Sequence, residues 1–428
     1  MRSEQQYLDD LRGLCAIESV AGADVSENAP YGAGSAAALD YVLSLCDSFG
    51  FRTKLCENHR CGWAEIGQGE ELAGILVHLD VVPAGTGWDY PPFDLTEAGD
   101  RLYGRGVIDD KGPAMACIYA MKDLLDEGAP LARRVRIIFG QSEETGVWED
   151  MEYYKRHEEI PAFGFTPDAD FPAIFGEKRI LCLELTMPKA GTGLEEIRGG
   201  SASNMVADWC RAVLSSGGET LETAGKAAHA STPEDGENAI TAMMERLEAL
   251  LPESPLVRFY QTCIGDSLHG ERMGCALEDP QSGRLTMNAG VIASTDTEVT
   301  LTLDVREPVT FPDEAVLGPV RRAAEAFGMT MEVTENTPPV YMDKNGPVIT
   351  KLLSVYREMT GDRSEPQVIG GGTYARAMDH IVAFGPMLPG RELTEHQKNE
   401  YMLKSDLLLI RKLYRAAIRA LAEQEEKP

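Results

Sequence analysis

Short apolar runs alternate with stretches of helical periodicity in the first part of the chain. The run from Ala73 to Asp80 is apolar until its polar end, which is typical of a buried strand. The run from Val135 to Phe139 has the same character. Between them, Pro113 to Asp126 is apolar at helical spacing, with a proline near its start and Gly128 beyond its end. Strand, helix and strand in this order predict a largely parallel sheet with helices on its faces.

The pattern changes near residue 180. Ile180 to Thr186 and Glu298 to Asp304 alternate apolar and polar residues, which predicts half-exposed strands. Two helices are predicted between them, at Asn204 to Ser215 and Asn238 to Leu251. Alternation of this kind is typical of an antiparallel sheet with one wet face and helices on the other.

Helical periodicity returns near Pro338. Further helices are predicted at residues 3–14, 35–49, 348–359 and in a long segment that ends near residue 423. We therefore expect a discontinuous α/β domain, residues 1–179 and 340–428, with an α+β domain of residues 180–339 inserted into it. A chain of 428 residues is long enough for two domains.

The charge of the chain argues against polyanionic partners. Lysine and arginine total 40 and aspartate and glutamate total 69, so the net charge is −29. This charge repels nucleic acid and anionic membranes, and no run approaches the ~20 apolar residues that span a bilayer. The nine cysteines are scattered, with no Cys-x-x-Cys pair, and we expect reduced thiols in a cytoplasmic protein.

Polar residues follow the predicted strands at the positions where active sites form in open α/β sheets. They are His78, Asp80, Asp109, Asp110, Glu143, Glu144, Asp168 and Asp170, with His396 near the C-terminal helix. Imidazoles and carboxylates without thiolates suit Zn²⁺, Mn²⁺ or Co²⁺. Because clustered carboxylates repel one another, two cations about 3.5–4 Å apart with a bridging carboxylate would neutralise the cluster.

The spacing of His78 and Asp80 adds a second reason. Residues two apart in a strand point to the same side, so Asp80 is expected to hold the other ring nitrogen of His78. Taken singly, each of these acids is more often a solvated loop residue, and Glu143 with Glu144 also fits an ordinary acidic turn. Spacing alone therefore leaves the metal site a hypothesis.

Eight segments, taken in order, give the chain a specific resemblance. They are Val77–Gly85, Trp88–Phe93, Tyr103–Pro113, Ser142–Gly146, Pro167–Pro172, Gly225–Ser231, Gly370–Arg376 and His396–Glu400. Together they resemble the zinc aminoacylase/dipeptidase family of co-catalytic metallopeptidases, and most of all its carnosinase-like aminoacyl-dipeptidases of the dipeptidase V type. The resemblance implies a zinc-exopeptidase-like catalytic domain with an inserted lid domain.

The resemblance also implies a ligand set for two Zn²⁺ ions. His78 and Asp168 would hold one ion, Glu144 and His396 the other, and Asp109 would bridge them. In the family the peptide bond that follows the bridging aspartate is cis. Mn²⁺ and Co²⁺ suit the same donor types.

Three further residues receive roles by resemblance. Asp80 would orient His78, and Glu143 would be the general base that takes a proton from the attacking water. His229, in the lid, would stabilise the tetrahedral oxyanion, and it would act within its own chain in a monomer. On the residues alone, His229 fits a packing position at a helix start better.

The resemblance assigns substrate binding to Asn204, Arg306, Gly371, Gly372 and Thr373. A guanidinium suits a planar carboxylate, and glycine lets a ligand approach the main chain closely. A surface ion pair and a loop turn are the plain alternatives for the arginine and the glycines. Glu307 stands where the family commonly has an aromatic residue, which weakens the assignment of the arginine.

The predicted function is a di-zinc dipeptidase that hydrolyses short, unblocked peptides. We expect a monomer, because the enlarged lid of dipeptidase V-type enzymes covers the cleft of its own chain. An N-acyl-amino-acid amidohydrolase or desuccinylase would use the same site. A metal-dependent binding protein without catalysis is the alternative from another class, although every position that the chemistry requires is filled.

Overall fold

The computed structural model describes residues 3–423. Its helices are α1 (Glu4–Cys15), α2 (Ala33–Ser48), α3 (Lys111–Asp126), α4 (Glu149–His157), α5 (Ala239–Leu250), α6 (Pro255–Cys263), α7 (Glu314–Ala326), α8 (Pro347–Thr360) and α9 (Lys404–Ala422). Ser3 caps α1 by accepting a hydrogen bond from the Gln6 backbone N–H at 3.2 Å. Between residues 3 and 423, no helix combines the length and the hydrophobicity that a membrane span requires.

The strands of the first half are β1 (Arg52–Leu55), β2 (Gly62–Ile66), β3 (Leu72–His78), β4 (Thr96–Ala98), β5 (Arg101–Tyr103), β6 (Arg134–Gly140), β7 (Phe163–Thr166), β8 (Ala169–Asp170), β9 (Ile174–Glu177), β10 (Arg179–Pro188), β11 (Leu194–Gly199) and β12 (Trp209–Leu214). Those that follow are β13 (Thr220–Ala224), β14 (Glu278–Asp279), β15 (Gly283–Arg284), β16 (Thr286–Ser294), β17 (Glu298–Glu307), β18 (Thr330–Thr337), β19 (Val340–Tyr341), β20 (Gln367–Ile369), β21 (Ile381–Ala383), β22 (Pro386–Met387) and β23 (Tyr401–Leu403).

The chain divides into two compact units. The first unit comprises the residues up to Phe175, Met342–Gln367 and those from Thr373 onward. The second unit comprises Gly176–Tyr341 and Val368–Gly372. All residues of the predicted inserted domain, 180–339, lie in the second unit. This unit also contains the flanking residues 176–179 and 340–341 and the separate segment Val368–Gly372.

The first unit is built on a mixed sheet. Its strands follow the order β1-β2-β6-β3-β7-β21, and the start of β9 pairs with the last strand. The central strands β6, β3, β7 and β21 are parallel, whereas β1 and β2 join antiparallel at one edge. The predicted α/β class is confirmed, with antiparallel strands added to the parallel centre.

Burial explains why the central strand β3 is apolar up to its last residue, His78. Every residue of β3 is buried, as expected for a strand inside a parallel sheet covered by helices. Helix α3 is buried from Lys111 to Met121, and it packs against β3, α1 and α9. At Gly164 in β7 a Cβ would lie 1.9 Å from the Gly74 carbonyl oxygen of β3, so only glycine permits this strand spacing.

The second unit is an α+β unit with a seven-stranded sheet. The strand order is β13-β12-β11-β16-β17-β10-β18, and all neighbours are antiparallel. Helices α5 and α7 pack on this sheet, α6 packs on α5, and together they enclose one apolar core. The predicted alternating strands at 180–186 and 298–304 are parts of β10 and β17.

One predicted element of the second unit is wrong. The segment Asn204–Ser215 was expected to be helical, but it contains strand β12. Burial alternates along this strand, with Cys210, Ala212 and Leu214 buried and the residues between them more exposed. The side chains of β12 therefore alternate between the two faces of the sheet with a period of two residues. Pairing with β11 and β13 provides hydrogen-bond partners for its backbone N–H and C=O groups.

The predicted domain boundary also shifts for the Gly370–Gly372 segment. It was assigned to the discontinuous α/β domain, but it lies in the second unit. Two hydrogen bonds hold it there: the Lys178 backbone N–H donates to the Ile369 carbonyl at 2.9 Å, and Arg306 donates to the Gly370 carbonyl at 2.8 Å.

Candidate metal centre

The first unit brings the polar ends of three neighbouring strands to one edge of its sheet. His78 is the last residue of β3, and Asp168 follows the end of β7. Glu143 and Glu144 lie in a single 3₁₀ turn after β6. Because β6, β3 and β7 are adjacent and parallel, their carboxyl ends meet, as the sequence pattern predicts.

Asp109 lies between the two imidazoles of this edge. Its Oδ1 is 2.9 Å from Nε2 of His78, and its Oδ2 is 3.0 Å from Nε2 of His396. Asp109 directly precedes Asp110 and the start of α3, and the Asp109–Asp110 peptide bond is cis. One carboxylate thus faces two histidines through different oxygens.

Each histidine has a second acidic neighbour. Oδ2 of Asp168 lies 3.8 Å from Nε2 of His78, and Oε2 of Glu144 lies 3.0 Å from Nε2 of His396. Ligand atoms of His78, Asp109 and Glu144 all lie within 4.8 Å of one another. The same holds for His78, Glu143 and Asp168. The structure therefore gathers all seven residues predicted for the metal centre and its immediate surroundings, including Asp80.

Asp80 has a different set of contacts from the one expected. Nδ1 of His78 lies 3.0 Å from the Asp80 backbone oxygen and 3.5 Å from its Oδ1. The carboxylate instead accepts the backbone N–H groups of Glu143, at 3.2 Å, and Glu144, at 3.1 Å. Asp80 therefore orients His78 chiefly through its main chain, while its side chain fixes the turn that carries the two glutamates.

The neighbouring acids raise the pKa of both histidines. Burial opposes protonation of His78, but the carboxylates of Asp109, Asp168 and Asp80 keep its pKa well above the ordinary value. Burial also opposes protonation of His396, yet its contacts with Asp109 and Glu144 raise its pKa to about 11.

The pKa values of Asp168 and Glu143 are raised as well. Burial, reinforced by the charge of Asp109, raises the pKa of Asp168 to about 7. Burial and the neighbouring Asp168 raise the pKa of Glu143 well above its ordinary value. Burial is the larger cause of both shifts, and the negative charge of the neighbouring acids at this edge of the sheet adds to it.

The donor set fits two divalent cations. It contains two imidazoles and several carboxylates, which suit zinc and its neighbours in the transition series. Oε1 of Glu144 is buried and has no hydrogen-bond partner among the described residues, so an acceptor is left for a cation. His78, Asp109, Glu144, Asp168 and His396 are the residues that would hold the metals.

A buried network behind the site was missed from the sequence. Asp150 of α4 accepts hydrogen bonds at Oδ2 from the backbone N–H groups of Gln141, at 2.5 Å, and Ser142, at 3.1 Å. The same oxygen accepts the Tyr374 hydroxyl at 2.6 Å. The Tyr374 ring contacts the His78 ring edge-on, with centroids 6.1 Å apart. This network fixes the chain just before Glu143.

A second support lies behind Asp109. Oε1 of Glu400 accepts the Ile108 backbone N–H at 3.1 Å, and its Oε2 accepts Nη1 of Arg105 at 2.6 Å. Both side chains are buried. The resemblance covered these positions, but no local pattern indicated that residues 292 positions apart along the chain are bonded.

The substrate-side residues predicted from the resemblance lie mainly in the second unit. His229 is exposed there, and its Nδ1 is 2.7 Å from the Ser231 hydroxyl. The Asn204 carbonyl accepts the Ala230 backbone N–H at 2.8 Å. A Cβ at Gly370 would lie 2.5 Å from Ser231, so the glycine segment packs closely on this turn.

The guanidinium of Arg306 already donates hydrogen bonds to other residues of the chain. Arg306 is 4% exposed, and its Nε and Nη2 donate to Asp304 at 2.6 Å and 2.8 Å. Its Nη1 donates to the Gly370 carbonyl. Arg306 therefore positions the segment that contains Gly371 and Gly372. Thr373 lies in the first unit, where its hydroxyl accepts the Ala375 backbone N–H at 3.1 Å.

Comparison with known proteins places the chain in a family. Residues 74–420 match peptidase family M20/M25/M40. Putative dipeptidases of Staphylococcus aureus strains MW2 and MRSA252 are each 36% identical over 462 aligned positions, covering 99% of this chain and 98% of theirs.

Solved structures share the fold at low sequence identity. Human carnosine dipeptidase 1 has a TM-score of 0.65 at 16% identity, covering 98% of this chain and 96% of its own. A Staphylococcus aureus tripeptidase has a TM-score of 0.63 at 18% identity, covering 99% of this chain and 100% of its own. Vibrio alginolyticus aminoacylhistidine dipeptidase has a TM-score of 0.59 at 13% identity, covering 97% and 95%. The chain therefore belongs to the metallopeptidases of family M20/M25/M40, as its motifs and the edge of its sheet indicate.

Proposed function

We propose that this metallopeptidase is a dipeptidase that hydrolyses short, unblocked peptides at a site for two zinc ions. The observation that carries the proposal is the position of Asp109, whose two oxygens lie 2.9 Å and 3.0 Å from two different imidazoles. A carboxylate in this position suits a bridge between two cations. The similarity to putative dipeptidases over 99% of the chain supports the substrate class.

The ligand set is assigned to two ions on the contacts of the first unit. His78 and Asp168 would hold one ion, and Glu144 and His396 the other, with Asp109 shared between them. When bound, a pair of zinc ions lowers the pKa of water and polarises the scissile carbonyl. Mn²⁺ and Co²⁺ are the other cations that this donor set suits.

Glu143 is assigned as the general base. It is half-buried, it neighbours His78 and Asp168, and its backbone is fixed by Asp80. The Glu143 carboxylate would take a proton from the attacking water and return it to the leaving amine. Its neighbour Glu144 contacts His396 instead, so the two adjacent glutamates have different surroundings and different roles.

The substrate-side roles are assigned to residues of the second unit and to Thr373. His229 would donate to the tetrahedral oxyanion, with its ring orientation set by Ser231. Asn204, Gly371, Gly372 and Thr373 would contact the peptide. Arg306 acts on the substrate through the segment that it positions, because Asp304 already occupies one edge of its guanidinium.

The test is release of free amino acids from a panel of dipeptides, with N-acetyl and N-succinyl amino acids alongside. The enzyme is stripped with chelator and reloaded with Zn²⁺, Mn²⁺ or Co²⁺. Cleavage of unblocked dipeptides after reloading is the expected result. Cleavage of only the acylated compounds would replace the dipeptidase with an amidohydrolase, and cleavage of neither would contradict the proposal.

Glu143→Ala separates catalysis from metal binding. We expect turnover to fall to background while bound metal per chain stays at the wild-type level, since the assigned ligands are retained. Glu149→Gln changes an exposed glutamate of α4 and is the matched control, with wild-type turnover expected. Appreciable turnover of Glu143→Ala would refute the general-base assignment.

A further inference from the structure

Two cysteines face each other at the closed end of the β1–β2 hairpin in the first unit. The hairpin register pairs Leu55 with Gly62, so Cys56 and Cys61 are the next opposed residues. Their backbones are joined by a hydrogen bond from the Cys56 N–H to the Cys61 carbonyl at 2.9 Å. Their Sγ atoms lie 3.0 Å apart, with one thiol donating to the other sulfur.

This arrangement meets the geometric demands of a disulfide. Opposed residues joined by backbone hydrogen bonds in an antiparallel pair have Cα atoms about 5.5 Å apart. Disulfides span a Cα separation of about 5.5–6 Å. The two sulfurs already point at each other, so a bond would form through side-chain adjustment rather than backbone movement.

We propose that Cys56 and Cys61 are a reversible dithiol–disulfide pair, which is a modification site distinct from the metal centre. The oxidant is a hydroperoxide, such as hydrogen peroxide, and a small thiol reverses the reaction. The proposal rests on the hairpin geometry and does not depend on the substrate of the peptidase.

The two cysteines have unequal roles in the reaction. Cys56 is 4% exposed and Cys61 is 0% exposed, so Cys56 is the sulfur that meets an oxidant first. The hydrogen bond to Cys56, together with burial, raises the pKa of Cys61, which disfavours Cys61 as the initial nucleophile. Cys61 is therefore the resolving thiol.

The reaction balances in two steps. The Cys56 sulfur attacks one peroxide oxygen, the O–O bond breaks, and sulfenic acid and hydroxide form; hydroxide and the thiol proton make the first water. The Cys61 sulfur then attacks the sulfenic sulfur, the S–S bond forms, the S–O bond breaks, and the second water leaves. The two sulfurs together lose two electrons, and the peroxide gains them.

The loop that the disulfide would close touches the active-site side of the sheet. Residues 57–60 connect the two cysteines, and Asn58 and His59 both have positive φ. The His59 carbonyl accepts Nε2 of Gln141 at 2.5 Å, two residues before Glu143. A covalent closure at this place would restrain the loop that Gln141 holds.

The tryptic cleavage sites around the two cysteines allow the disulfide bond to be detected by peptide mapping. Trypsin cleaves after Lys54 and Arg60, so Cys56 falls in the peptide 55–60 and Cys61 begins the peptide 61–101. Full-length, zinc-loaded enzyme is treated with hydrogen peroxide, blocked with an alkylating reagent, and digested without reductant. We expect the two peptides to appear joined, with the loss of two alkylation sites, and to separate after reduction.

Two variants are the controls. Cys263→Ala removes a buried cysteine of the second unit that is 6% exposed, and its oxidised digest should still contain the joined peptides. In Cys61→Ser the joined species should vanish, and Cys56 should be trapped by a sulfenic-acid reagent. The proposal is overturned if wild-type Cys56 and Cys61 remain fully alkylated, or if Cys56 is over-oxidised while the peptides stay separate.

Discussion

Asp150 gives a quantitative test of how the buried network positions the catalytic turn. One of its oxygens accepts three donors: the backbone N–H groups of Gln141 and Ser142, and the Tyr374 hydroxyl. Asp150→Asn keeps the size of the side chain but removes its charge. Hydrogen bonds to a charged group are worth about 1.5–3 kcal/mol, and neutral ones about 0.5–1.5 kcal/mol. Each bond therefore weakens by about 1 kcal/mol, and the three together by about 3 kcal/mol.

The lost hydrogen-bond energy has two measurable effects, one on the position of the catalytic turn and one on the stability of the first unit. If it falls on the turn, kcat/KM for a dipeptide drops by up to about 140-fold, since about 1.4 kcal/mol is a factor of ten. If it falls on the whole first unit, Tm drops by about 6 °C, at roughly 2 °C per kcal/mol for a unit of this size. Both quantities are measured on the same zinc-loaded preparation, with bound metal determined alongside.

The control and the double variant decide the interpretation. Glu149→Gln, one residue away and exposed, should leave both Tm and kcat/KM unchanged. Tyr374→Phe removes one of the three donors to this charged group and should cost about 1.5–3 kcal/mol. In the double variant the two effects should be less than additive, because the two side chains are directly bonded. Wild-type Tm and kcat/KM in Asp150→Asn would show that Asp150 does not position the turn.

Three other changes probe separate parts of the chain. Gly140→Ala places a Cβ 2.4 Å from the Tyr374 ring, and the overpacking should cost about 1–3 kcal/mol, seen as a lower Tm; an unchanged Tm would contradict the packing. Burial, partly offset by Arg179, raises the pKa of Glu307 from 4.5 to about 7, so its contribution to stability is complete below pH 4.5 and is lost as the pH rises to about 7. Tm measured from pH 5 to 8 should therefore fall more in wild type than in Glu307→Gln, and parallel curves would contradict this. His229→Ala should lower kcat by about 10²–10³-fold, as for loss of one oxyanion donor, and steady-state kinetics with unchanged kcat would remove that assignment.

The sequence predicts the strand ends of the site well, because a parallel sheet brings the residues after its strands to one edge. His78, Asp168 and the two glutamates follow neighbouring strands, so topology alone predicts that they meet. His396 lies in a loop with φ of 60° rather than at the end of one of these strands, so the topology of the sheet does not predict that it meets the others.

Contacts between distant segments could not be predicted in the same way. Asp150 and Tyr374 are 224 positions apart, and neither lies in a pattern that signals the other.

The helix expected at residues 204–215 shows a second limit of prediction from the sequence. Trp209, Arg211 and Val213 alternate with the buried residues Cys210, Ala212 and Leu214, and in so short a segment the helical and strand periods overlap. Pairing within the sheet decided the outcome.

The two-metal site is tested most directly by a metal titration of the chelator-stripped enzyme, with dipeptide hydrolysis and bound zinc measured at each step. With two zinc ions at the site, we expect activity to be absent without metal and to saturate at two zinc ions per chain, and His78→Ala and His396→Ala each to reduce the bound zinc. Full activity of the stripped enzyme, or saturation of both signals at one ion in the wild type, would contradict the two-metal site.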